Sequence, residues 1–220
     1  MRYYPINLDI NNRDCLVVGG GQVGTRKVIG LLKCGAMVSV VSPNATERII
    51  QLKAQKKILW HKRSYQSSDM QNRFLVIGAT DNELLNHQIH NDAQNQKVLC
   101  NIADRPEICN FILPAVVQQG DLVITVSTNG KSPAFAKRLR KELQQTYGKE
   151  YERFLELMGV IRKKLLNEAH EPEAHKPLFE ALIDGDLVTA IKNNDIKTID
   201  RLLNNVLGEG FTYDDLMLER

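Results

Sequence analysis

Residues 14–27 read DCLVVGGGQVGTRK, and the fold is decided here. Cys15, Leu16, Val17 and Val18 form a short apolar run that stops at three glycines, and Gly19, Gly21 and Gly24 then fall at the spacing G-x-G-x-x-G. This predicts a strand, a tight turn and a helix start. Each glycine has its own reason: the first permits the turn, the second lets a pyrophosphate approach the backbone, and the third lets the helix pack closely on the strand. The helix start at Gln22 and Val23 then offers unpaired N–H groups and a positive dipole end to an anion. Gly24, Val28, Leu31 and Leu32 share one face of that helix, and Gly35 is its stop signal. The reading is a dinucleotide site with the pyrophosphate over Gly21 and Gln22.

Outward from this unit the chain alternates strand and helix. Ile6, Leu8 and Ile10 alternate with Asn7 and Asp9 as a strand, and Asn11 and Asn12 make a turn. Strands are expected at Met37 to Val41, Ile58 to Trp60, Phe74 to Ile77 and Val98 to Asn101, with helices over Ala45 to Gln55 and Asp81 to Gln94. Such alternation means an α/β fold, a Rossmann-like doubly wound parallel sheet. From Pro114 the character changes. A strand over Asp121 to Ser127 leads through Thr128, Asn129 and Gly130 to a helix with Ser132 as N-cap and Pro133 at its first position. Tyr151, Phe154, Leu155, Met158, Ile161 and Leu165 mark a second amphipathic helix. Short helices follow at Pro177 to Ile183, Asp186 to Lys192 and Ile196 to Leu207, so the last third is a small all-helical domain. The expected domains are 1–113, 114–147 and 148–220.

With 220 residues, 43% hydrophobic content and net charge +3, the composition is that of an ordinary soluble chain and argues for no nucleic-acid partner. No apolar run approaches membrane-spanning length, and MRYYPINLDI lacks a signal-peptide core, so a cytoplasmic location without a membrane partner is the default expectation. Cys15, Cys34, Cys100 and Cys109 show no C-x-x-C spacing and read as buried small hydrophobes. His87 and His90 with Asp92, or His170, Glu171, Glu173 and His175, could be drawn as metal sites. Both sets read better as solvated surface, so no metal site is expected.

The acidic residue that usually follows the glycines by about 20 positions and holds the adenine ribose is missing; Ser42, Pro43 and Asn44 stand there. Ser42 and Asn44 can still hydrogen-bond a ribose, and no arginine at the strand end demands a 2′-phosphate, which favours NAD over NADP. Arg26 and Lys27 oppose the helix dipole unless an anion lies nearby; pointing to water is the open alternative.

Five stretches carry a resemblance: YPINLDI, VVGGGQVGTRK, IGATDN at 77–82, NIADRPEICNFILPA at 101–115 and VSTNGKSPAFAKRLR at 126–140. In that order, over about two thirds of the chain, the sequence resembles the precorrin-2 dehydrogenase and sirohydrochlorin ferrochelatase family, the part of sirohaem synthase that follows uroporphyrinogen methylation. It departs at Gly24, where the family often has alanine, and at Asn129, where glycine is usual; Asn tolerates the left-handed backbone.

The resemblance implies oxidation of precorrin-2 to sirohydrochlorin with NAD, and in some members insertion of ferrous iron, a lyase activity. It implies cofactor contacts at Gly19, Gly21, Gln22, Val23, Gly24, Ser42, Pro43, Asn44 and Thr80, and substrate contacts at Asn101, Lys131, Ser132 and Arg138. It makes Asp104 the catalytic aspartate and residues 114–147 the core of a homodimer. From the residues alone Asp104 reads as a turn aspartate at a strand's C-terminal end, where open α/β sheets bind ligands. Lys131, Lys137, Arg138, Arg140 and Lys141 hold no acid between them and could meet a polycarboxylate, or simply form a solvated helix face. No methyltransferase domain is expected in this chain. A non-catalytic NAD-sensing module is the competing reading; it leaves the ATDN, NIAD and NGKSP stretches unexplained.

Overall fold

Strand β1, Asp14–Gly20, is apolar on both faces and sits at the centre of a five-stranded sheet. The computed structural model describes residues 2–167 and 175–218. In its first unit, Met1–Leu113, the glycine turn leads into α1, Gln22–Lys33, and then β2, Met37–Ala45. Next come α2, Glu47–Ala54, β3, Leu59–His61, β4, Leu75–Gly78, α3, Glu83–Asn95, and β5, Leu99–Ile102. The strands lie in the order β3-β2-β1-β4-β5 and every pair is parallel.

Alternation across the pleat sends Cys15 and Val17 to one face of the sheet and Leu16 and Val18 to the other. The first face packs on Val28 and Leu31 of α1 and Ile49 and Leu52 of α2; the second packs on Ile89 and Ala93 of α3. Chain order reverses between β1 and β4, the switch point at whose C-terminal side such sheets bind ligands. The expected doubly wound α/β sheet is what the chain forms.

Two boundaries differ from the sequence pattern. Residues 2–13 form no strand: Ile6 and Leu8 are exposed and only Ile10 is buried. Alternation marks a face, but a strand also needs a ladder partner, and both sides of β1 are taken by β2 and β4. Strand β2 runs through Ser42, Pro43 and Asn44 to Ala45, with an irregular register between Val18 and Gly20 of β1. Gly35 ends the first helix as expected, at φ +74°, with its N–H on Leu32 O and the Ala36 N–H on Leu31 O.

The second unit, Pro114–Arg220, opens with an antiparallel hairpin of β6, Ala115–Gln119, and β7, Leu122–Val126. Helix α4, Pro133–Thr146, follows, capped by Ser132 Oγ, which accepts from the Phe135 N–H at 3.3 Å. Asn129 adopts the left-handed backbone its position requires, φ +52°. Helices α5, Glu150–Asn167, α6, Lys176–Asp184, α7, Leu187–Lys192, α8, Ile196–Leu207, and α9, Tyr213–Leu218, enclose their own core around Leu157, Ile161, Leu187, Ile191, Leu203 and Leu216. Strand β6 and helix α9 have no counterpart in the sequence reading. Among the described residues no helix is long and apolar enough to cross a membrane.

Candidate active site

A cleft of about 580 Å³ opens at the C-terminal ends of β1, β2 and β4. Its walls include Gly19, Gly21, Ser42, Pro43, Asn44 and Thr80, six of the positions expected to meet a cofactor, together with Thr46, Ser64 and Tyr65, which no motif marked. Gln22 and Val23 begin α1 at its edge.

The three glycines differ in what a side chain would meet. A Cβ on Gly19, at φ +114°, would fall 2.1 Å from Ala79 O, and one on Gly24 would fall 2.0 Å from Gly19 O. In this backbone neither position has room for a Cβ. Gly21 has an ordinary extended backbone, φ −75° and ψ −170°, and a Cβ there would meet nothing within 4 Å. The protein gives no packing reason for glycine at this point, yet this N-cap residue faces the cleft. A cradle left open beside free helix amides fits a dinucleotide pyrophosphate.

Side chains brace the cradle. Thr25 Oγ1 donates to Gly21 O at 2.9 Å or shares a proton with Thr46 Oγ1 at 2.7 Å, and the Thr46 N–H donates to Gly20 O at 2.9 Å. Trp60 Nε1 donates to Ser42 O at 3.0 Å, fixing the segment that takes the place of the missing acid. Tyr65 donates to Asp92 Oδ2 at 2.9 Å; burial first, and then that bond, hold its phenol protonated well above the usual range. Arg63 is held by both oxygens of Asp69, at 2.7 and 2.6 Å, which keeps that carboxyl below its ordinary pKa.

Asp104 lies in the turn after β5, solvent-exposed and at φ +59°, an unusual backbone for a residue with a Cβ. Buried Cys109 stitches this turn. Its Sγ accepts from the Ile102 N–H at 3.1 Å and lies 3.1 Å from Arg105 O and 3.3 Å from Ile102 O, to either of which it can donate. Asn110 then pairs with the edge of β5 as a strand would: its Oδ1 accepts from the Cys100 N–H at 2.8 Å and its Nδ2 donates to Val98 O at 3.2 Å. Asn101 is buried, with Nδ2 on Phe111 O at 3.0 Å, so any substrate contact falls to its Oδ1.

Lys27 is half-buried on α1, and desolvation, then the charge of Arg26, lower its pKa, while the charge of Asp104 opposes the fall. Arg26 is exposed. In the second unit Lys131 is exposed, Ser132 caps α4, and Arg138 Nε pairs with Glu142 at 2.9 Å.

The cysteine and histidine expectations need correction at two places. Cys34 is exposed because it is the C-cap of α1, where the apolar face has ended; the other three cysteines are buried. His175 is buried rather than solvated; His170, Glu171 and Glu173 lie outside the described residues. His87 is exposed and His90 half-buried. Among the described residues no group of three His, Cys, Asp or Glu side chains is placed to hold a metal.

The sheet order, the switch-point cleft and the open glycine cradle define a dinucleotide-binding protein of the Rossmann type. A family model described as "Putative NAD(P)-binding" matches residues 6–115, and one described as "Sirohaem biosynthesis protein central" matches 119–146. The chain is 33% identical over 211 residues to a siroheme synthase of Nitrosococcus oceani, covering 96% of this chain and 45% of that protein. It is 31% identical over 197 residues to that of Ruthia magnifica, covering 90% of this chain and 42% of the relative. The chain thus spans less than half the length of these curated relatives. A solved structure titled "SirC, precorrin-2 dehydrogenase" superposes with a TM-score of 0.77 at 25% identity, over 90% of this chain and 100% of that one. The chain belongs to this NAD(P)-binding family of sirohaem biosynthesis.

Proposed function

We propose that this chain oxidises precorrin-2 to sirohydrochlorin with NAD, as a cytoplasmic homodimer. In this reading residues 114–147 supply dimer and substrate contacts, 148–220 form a helical domain, and ferrous iron is a second substrate inserted at the same site. The observation that carries the reading is the Asp104 turn, a carboxylate in a left-handed backbone at the C-terminal edge of the sheet that forms the dinucleotide cleft. The likeness to SirC along nearly the whole chain supports it.

NAD, when bound, supplies the hydride acceptor. Its pyrophosphate would lie on the Gly21 cradle, and neutral Ser42 and Asn44 would take a ribose that carries no 2′-phosphate. Asp104 accepts the proton that the tetrapyrrole carbon loses as hydride departs, and the same carboxylate can accept pyrrole protons when iron enters. The fixed turn keeps the carboxylate in place through both.

Purified protein mixed anaerobically with enzymatically made precorrin-2 and NAD should form NADH. Asp104→Ala should bind NAD as the parent does and turn over about a hundred- to ten-thousandfold more slowly. Near-parental rates in that variant would leave Asp104 a turn residue only. Sirohydrochlorin with ferrous iron, assayed separately, tests the second reaction.

A further inference from the structure

Asn86 is a polar side chain buried on the sheet-facing side of α3, 6% exposed, on the same helix face as Ile89 and Ala93. A buried amide is costly there unless both ends are paired, and both ends meet one residue. Asn86 Nδ2 lies 3.0 Å from Thr80 O, and its Oδ1 lies 2.8 Å from Thr80 Oγ1.

The orientation is forced by chemistry. A backbone carbonyl can only accept, so the NH₂ end must face Thr80 O and the oxygen must face the Thr80 hydroxyl. That hydroxyl has one proton, and it has two inward acceptors, Asn86 Oδ1 at 2.8 Å and Asn82 O at 3.3 Å. With either, the proton stays inside the turn. One lone pair takes the Asn82 N–H at 3.3 Å, and the other is left for the cleft that Thr80 lines.

We infer that Asn86 fixes the polarity of Thr80, so that Thr80 meets the dinucleotide as an acceptor and selects a donor group, a ribose hydroxyl or the carboxamide NH₂. Phosphate oxygens, which need donors, are left to the amides at the start of α1. Asn86 is a positioning residue in this scheme and Thr80 the contact. The inference rests on the dinucleotide reading of the cleft.

Titration calorimetry of the full chain tests it. Thr80→Val, which keeps the shape and removes the hydroxyl, should weaken NAD about three- to tenfold, and Thr80→Ser should bind as the parent. Asn86→Leu removes the nearer inward acceptor and leaves only the longer contact to Asn82 O, at 3.3 Å, to compete for the proton, so the hydroxyl can turn it outward and NAD should weaken by up to the Thr80→Val penalty. The double variant should be no weaker than either single one, a non-additivity that loss of stability alone would not produce. Repeating the Thr80→Val comparison with 3-acetylpyridine adenine dinucleotide separates the two donors: a penalty that persists assigns the ribose, and one that vanishes assigns the carboxamide. NAD affinity within twofold of the parent in Thr80→Val, or fully additive penalties, would overturn the inference. A parent that binds neither NAD nor NADP would overturn the dinucleotide reading, and this inference with it.

Discussion

At the residue scale the glycines separate folding from binding. Adding a methyl at Gly24 drives it into the Gly19 carbonyl, 2.0 Å away, whereas at Gly21 the same methyl meets no protein atom. Gly24→Ala should therefore lower the thermal midpoint of the first unit by several degrees or displace α1, a change of roughly 1–3 kcal/mol. Gly21→Ala should melt close to the parent and bind NAD at least tenfold more weakly. Paired thermal melts and NAD titrations check both, and a Gly21→Ala protein with parental affinity would empty the cradle of meaning. These roles were legible in the spacing, since G-x-G-x-x-G after an apolar run is a backbone statement. Thr46 and Tyr65 were not legible, because their partners Thr25 and Asp92 lie on helices that only the tertiary fold brings near, and Asn86 was not, because no pattern marks a helix asparagine that turns back onto the loop before it.

At the element scale two strands of the parallel sheet carry thiols whose ionisation burial suppresses. Cys15 in β1 is pushed up to about 11 and Cys100 in β5 to about 12, by desolvation first. A pKa raised on folding stabilises the native state fully below the unfolded value of 9.0, and this support is lost as pH rises through the folded values. Urea unfolding at intervals from pH 8 to 11 should show stability falling from about pH 9, by about 1.4 kcal/mol per pH unit for each thiol. Replacing Cys15 and Cys100 by alanine should flatten that slope, whatever the cavities do to the baseline. The hairpin β6-β7 bears on assembly. Val116 is 44% exposed and Val123 47%, both on the face away from buried Val117, and Phe135 on α4 is 55% exposed. A two-stranded sheet is marginal by itself and gains from covering such a face. If the proposed dimer uses it, Val123→Glu should give a folded monomer by light scattering. Element boundaries were the least legible part: β6 and α9 are five and six residues long, too short for a period to declare itself.

At the scale of the whole molecule, the alternation of strand and helix sufficed for a doubly wound sheet; the structure divides into two units, the second beginning at Pro114. Which face each helix covers was not written locally, because it follows from strand order and crossover handedness. Each unit has a core of its own, so heating or denaturant need not unfold them together, and one midpoint does not describe the chain. Scanning calorimetry should resolve two transitions, and NAD should raise only the one belonging to the first unit.

The chain contains one tryptophan, Trp60, and its indole N–H is tied to the carbonyl of Ser42 on the wall of the cleft. The molecule therefore carries a built-in optical reporter for one half of itself. Its emission will register occupancy of the cleft and the melting of the parallel sheet, while circular dichroism sums the helices of both units. Two instruments trained on one sample should thus trace two different curves.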